Sequence, residues 1–141
     1  MMNDTLSDFQ RFMEQREEAA CAYVNGDAEP LTRMAAGDLP ATFFSPRGDF
    51  VEGANEVSQR YATDAAMFAT GNDNTMQILQ MAANEEIAYW VGLQRASVHL
   101  RGKAEAVPFN LRVTELFRRE GTEWKLVHRH ADVLKEEESP S

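Results

Sequence analysis

The apolar residues of this chain change their spacing partway along it, and that change limits the fold more than any other feature. Up to about Gly71 they recur at helical spacing; from Thr75 onward they alternate. A chain that is helical first and extended later builds helices segregated to one side of an antiparallel sheet, which is the α+β class. Leu6, Phe9, Phe12, Met13, Ala20, Tyr23 and Val24 predict a first helix, with Thr5 to cap it and Gly26 to end it. Asp27 offers a second cap, and Leu31, Met34 and Ala35 predict a short helix stopped at Gly37.

Residues 41–44 then read as a strand, 45–48 as a turn and 49–52 as a brief return strand. A third helix is predicted over 54–68, with Val57, Tyr61, Ala65 and Phe68 inward. Four longer strands follow at 75–82, 87–100, 104–119 and 124–133. Asn84-Glu85, Arg101-Gly102 and Glu120-Gly121 separate them, and such short connections predict antiparallel neighbours.

The 141 residues suit one domain, expected over 1–134, with 135–141 as an acidic tail. Fourteen basic against 23 acidic residues leave a net charge of −9, which excludes a general nucleic-acid binder. The charge is uneven: residues 1–90 sum to −10 and residues 91–134 to +3. Cys21 is the only cysteine, so an internal disulfide and a multi-cysteine zinc site are excluded. No run of apolar residues is long enough to span a bilayer, and the first residues lack the basic and apolar regions of a leader, so a cytoplasmic location is expected.

Several segments together resemble a known family. They are Asn25-Gly26-Asp27 after the first helix, Phe44-Ser45-Pro46-Arg47-Gly48 after the first strand, Gly53 before the third helix, residues 112–121, and the last strand from Trp124 to Asp132. In that order they resemble the nuclear transport factor 2-like superfamily, in its SnoaL-like branch, over about residues 5–133. The resemblance implies a cone-shaped half-barrel, in which about three N-terminal helices cover a curved antiparallel sheet and leave a pocket at the open end. It also implies a homodimer packed sheet to sheet. The superfamily holds isomerases, polyketide cyclases, dehydratases, transport factors and a kinase association domain, so fold alone does not choose a function.

Against the steroid isomerases of that superfamily, the position of the catalytic carboxylate is Ser45 and that of the phenol is Ala19. Both groups are lost, and that activity is rejected. The polyketide cyclases use a pocket His/Asp arrangement. Here His128, His130 and Asp132 are the candidates for an acid–base role, and simple alternation would put them on one face with Trp124 and Leu126. A structural or ligand-contact role is the alternative for these three.

Asn110, Arg112 and Thr114 share one face of the preceding strand, and Val107, Phe109, Leu111 and Val113 share the other. The apolar face must be buried, in the core or against a partner; as a partner face it would form the homodimer interface. Arg112 resembles the pocket arginine of the kinase association domain and could fork onto a carboxylate or phosphate. Its alternative is a wet face with Glu115 or Asp132 as partner. Trp90 and Gln94 share a face of the longest strand, with Gly92 between them to mark a bulge. Tyr61 on the third helix completes the candidate ligand wall.

No Gly-rich phosphate loop and no metal-ligand cluster is present in the sequence, so no cofactor and no metal are expected. The expected function is binding of a small, largely apolar molecule with an anionic or carbonyl group. The alternatives are an isomerase, cyclase or dehydratase using a pocket histidine with Asp132, and a dimerisation or assembly domain without a ligand. No nucleic acid and no membrane are expected as partners.

Overall fold

The computed structural model of the chain describes residues 4–135. The expected tail 135–141 therefore falls, apart from Lys135, outside the described residues. Helix α1 (Asp4–Tyr23) and the short α2 (Glu29–Met34) precede strands β1 (Thr42–Phe44) and β2 (Phe50–Glu52). Helix α3 (Ala54–Ala65) leads into β3 (Asp73–Ala83), β4 (Ile87–Val98), β5 (Val107–Pro108), β6 (Leu111–Glu120) and β7 (Glu123–Val133). Three helices thus cover one curved, unclosed sheet in the order β2-β1-β7-β6-β4-β3, with β5 paired to β4.

The long strands are antiparallel neighbours, as the short turns between them require. β1 runs parallel to β7, so the sheet is mixed and not purely antiparallel as expected. β1 lies in the sequence between α2 and α3 and joins the sheet beside the last strand. Two smaller expectations also shift. Thr5 lies inside α1, so it does not cap it, and the strand expected over 104–119 breaks into β5 and β6.

α1 packs its apolar stripe on the sheet. Phe9 meets Phe117 and Trp124 edge-on at 5.3 and 5.5 Å, and Phe12 meets Phe117 at 5.4 Å. Such pairs add directional attraction to the area they remove from water. Asn25-Gly26-Asp27 ends this helix for a definable reason. The Asn25 side chain donates to Cys21 O and Asn72 O and accepts from Asn72 N, while the Asn72 side chain donates to Val24 O and Ala69 O and accepts from His99 N. The two asparagines tie α1, the segment after α3 and the end of β4 together. Gly26 between them has φ +95°, and a Cβ there would meet Phe68 O at 3.1 Å.

Two bulges set which side chains face inward. Leu79 is the extra residue of β3, opposite Gly92 and Val91 of β4. Gly92 is required there, because a Cβ would lie 2.0 Å from Gln77 O. Val127 is the extra residue of β7: Leu116 faces His128 and Phe117 faces Leu126. Past Val127 the alternation of β7 is reversed.

Candidate functional site

The inward positions of the sheet carry a buried charged cluster. From β4 come Trp90 and Gln94, from β6 Glu115, from β7 Arg129, from β3 Asn74, and from α1 Arg16; all six are buried. Arg16 Nε and Nη2 donate to the two oxygens of Glu115 at 2.9 and 2.7 Å. Trp90 Nε1 donates to Glu115 Oε1 at 2.8 Å, and Arg129 Nη1 donates to Glu115 Oε2 at 2.5 Å. Arg129 Nη2 donates to Gln94 Oε1 at 2.7 Å, and Gln94 Nε2 in turn donates to Asn74 Oδ1 at 3.2 Å.

Burial pushes the Glu115 carboxyl up, but the Arg16 and Arg129 guanidiniums more than offset it and hold the pKa at about 2. The carboxylate is therefore ionised and saturated with donors. Arg16 Nη1 and Asn74 Nδ2 are buried donors without a protein acceptor. Burial pushes the phenols of Tyr23 and Tyr61 up as well.

Arg129 also reaches the wall of a cavity of about 230 Å³ inside the wide end of the cone. Tyr23, Phe43, Phe68, Val98, Phe109 and Leu111 supply its apolar surface, and Ser45, Arg47, Arg60, Asp64 and Met67 lie around its mouth. The Ser45 hydroxyl donates to Asp49 Oδ1, and Arg60 forks onto Asp49 and Asp64 at 3.0 to 3.1 Å. Hydrogen bonds from Arg60 and Ser45 hold Asp49 at about 2. Both carboxylates near the cavity mouth are thus paired with Arg60. Larger concavities exist, one of about 890 Å³ between α1, α2 and the β6–β7 turn, but that one is an open groove. The cone cavity is smaller, more enclosed and backed by a buried cation, which is the form of a ligand site.

The residues expected to make the site divide between two faces. Trp90, Gln94 and Tyr61 are inside, the Tyr61 ring tilted against that of Phe43 at 5.0 Å. His128, His130, Asp132 and Arg112 are outside. The bulge at Val127 is the reason for the first three: Trp124 and Leu126 point inward before it, and Arg129 and Ala131 after it. Arg112 is 64% exposed and forks onto Asp132 at 2.6 and 2.8 Å, the wet-face arrangement. Hydrogen bonding from Arg112 lowers the Asp132 pKa. His128 Nδ1 shares a 2.6 Å hydrogen bond with the Thr42 hydroxyl, and burial lowers its pKa. His128 and His130 both meet the ring of Phe44.

The face expected to hold a partner is corrected in the same way. Leu111 and Val113 are buried in the core, while Val107 and Phe109 line the cone cavity. The apolar set Val107, Phe109, Leu111 and Val113 points into the cone, not away from it. Among the described residues no three His, Cys, Asp or Glu side chains converge to hold a metal, and no helix is long and apolar enough to cross a membrane.

The half-open α+β cone is shared by solved proteins of the NTF2-like class. One from Streptomyces avermitilis, provisionally assigned as a dehydratase of the NTF2-like family, superposes with a TM-score of 0.75 at 18% identity, over 91% of this chain and 97% of that one. An NTF2-like superfamily protein from Salmonella enterica superposes with a TM-score of 0.77 at 13% identity, over 94% and 95%. The association domain of C. elegans CaMKII gives 0.67 at 17% identity, over 93% and 99%. Among curated proteins, none matches this chain in sequence. The model of the SnoaL-like domain matches residues 14–134, and the chain belongs to that family.

Proposed function

We propose that this chain binds a small, largely apolar molecule inside the cone, and that Arg129 holds its anionic or carbonyl end. The observation that carries the reading is the position of Arg129. It reaches the cavity wall and uses only two N–H groups on Glu115 and Gln94, of the five a guanidinium has. The wall beside it is formed largely by the apolar side chains of Tyr23, Phe43, Phe68, Val98, Phe109 and Leu111. A ligand with one acceptor end and an apolar body complements both.

Binding is favoured over acid–base catalysis. A general base works best with a pKa near the working pH. Glu115 and Asp49 are held at about 2 by arginines, and the two histidines of the last strand face away from the cavity. The protein is taken as one domain over 1–134 in a reducing cytoplasm, a setting in which the lone thiol of Cys21 stays free. It pairs with a second copy through the outer sheet face, where Leu79, Val91, Leu93, Arg112, Thr114 and His130 line a shallow depression.

Ligand-observed NMR with a panel of small carboxylates, ketones and amines tests this reading. Carboxylates or ketones are expected to bind the natural protein and to lose binding in Arg129→Met. Hits that bind the variant equally well would remove Arg129 and the cone from the proposal.

A further inference from the structure

Building on that reading, we infer that the cone site selects a singly charged carboxylate, discriminating against both neutral carbonyl compounds and dianions. The charges around the cavity fall into two groups. At the mouth, Arg60 is paired with Asp49 and Asp64, and Arg47 stands beside them against Met67, so two cations meet two anions. In the interior, Arg16 and Arg129 share the single carboxylate of Glu115. The buried group therefore keeps one uncompensated positive charge.

An unbalanced charge removed from water is costly, and a counter-ion of equal size relieves it. One carboxylate restores neutrality beside Arg129. A neutral carbonyl leaves the positive charge unbalanced, and a dianion replaces it with a negative one. The hydrogen-bonding groups agree with the charge. Arg129 gives two of its five N–H groups to Glu115 and Gln94, and Arg16 Nη1 and Asn74 Nδ2 of the same network lack acceptors. The interior thus has more donors than acceptors, and a carboxylate brings acceptors only.

Size and shape limit the rest of the molecule. The cavity of about 230 Å³ is roughly eight times the liquid volume of one water. It is below the range of drug-sized sites, so it suits a compact body. Phe68 is set edge-on between Tyr23 and Phe109 at 5.8 and 5.6 Å, which leaves aromatic edges and faces toward the space. An aryl or branched aliphatic monocarboxylate fits that wall.

Calorimetric titration of the whole chain at pH 7 with phenylacetate, phenylacetamide and phenyl phosphate is the test. Phenylacetate is expected to bind about tenfold or more tightly than the other two, since charge-assisted hydrogen bonds exceed neutral ones by that much. Arg129→Met is expected to remove the preference, and Arg129→Lys, which keeps the charge, to retain part of it and serve if the first variant folds poorly. Leu100→Trp, which narrows the cavity, should weaken every ligand. Equal binding of the amide, or tighter binding of the phosphate, with Leu100→Trp still weakening both, would overturn the single-anion inference and leave the cone reading standing. Binding unaffected by Leu100→Trp, or no binding by any of the three, would overturn both.

Discussion

Arg16 on α1 and Glu115 on β6 are 99 residues apart in sequence and share two hydrogen bonds in the interior of the cone, with 2% and 0% of their side chains exposed. The pair fixes the helix over the sheet at one register, and through Arg129 it connects the core to the cavity. Removing one member of such a pair leaves a buried charge without its partner. Glu115→Ala would leave two guanidiniums facing each other. It is expected to destabilise the fold by about 3–5 kcal/mol, read as a lower midpoint in urea. Arg16→Met leaves Glu115 with Arg129 and Trp90, and its loss should be smaller. Equal losses would mean that the three groups do not act as described.

The same carboxylate makes stability depend on acid. Its folded pKa of about 2 lies below the ordinary value of 4.5. A depressed pKa stabilises the folded state above the unfolded value, and that contribution falls away as the pH drops toward 2. The full size is on the order of 3 kcal/mol. Urea unfolding at pH 7, 5 and 3 should show most of the loss between pH 5 and 3, and Glu115→Gln should flatten that step. A variant that follows the natural protein through this range would assign the acid sensitivity elsewhere.

Gly92 is opposite the bulge of β3, where a Cβ would meet Gln77 O at 2.0 Å. That atom is backbone and cannot swing aside. Gly92→Ala is expected to cost about 1–3 kcal/mol or more, measured by thermal or urea unfolding. An alanine variant of unchanged stability would show that β3 and β4 are further apart here.

The two faces of the sheet should respond to substitution in opposite ways. Leu93→Arg, on the outer face, is expected to shift the protein from dimer to monomer in light scattering while ligand binding persists. Phe109→Asp, on the cavity wall, is expected to abolish binding without separating the subunits. The exposed Arg112–Asp132 pair is screened by water and contributes little, so Arg112→Ala should change neither stability nor binding measurably. The reverse assignment of Leu93 and Phe109 would exchange interior and exterior.

Much of the architecture was legible in the sequence because spacing reports burial directly. The switch from helical to alternating apolar residues placed three helices before the long strands, and the family resemblance supplied the cone. The site was legible only in part. Trp90 and Gln94 were found because β4 alternates without interruption on their side. Arg129 was missed because one extra residue, Val127, turns the end of β7 over, and a one-residue bulge has no strong signal in side-chain type. Its effect was to offer His128, His130 and Asp132 as interior when they are exterior. Two signals were available. Arg16 stands in the apolar stripe of α1 between Met13 and Ala20, and Glu115 stands between Val113 and Phe117 on an alternating strand. A lone charge at an inward position implies a partner of opposite sign, and these two are each other's.

The most direct test is NMR observation of the arginine side-chain Nε–H groups during titration with phenylacetate. The Arg129 resonance is expected to move with ligand concentration and saturate, while that of Arg112, engaged with Asp132 on the outer face, stays in place. Movement of Arg112 with Arg129 unchanged would contradict the cone site and put the ligand on the outside of the sheet.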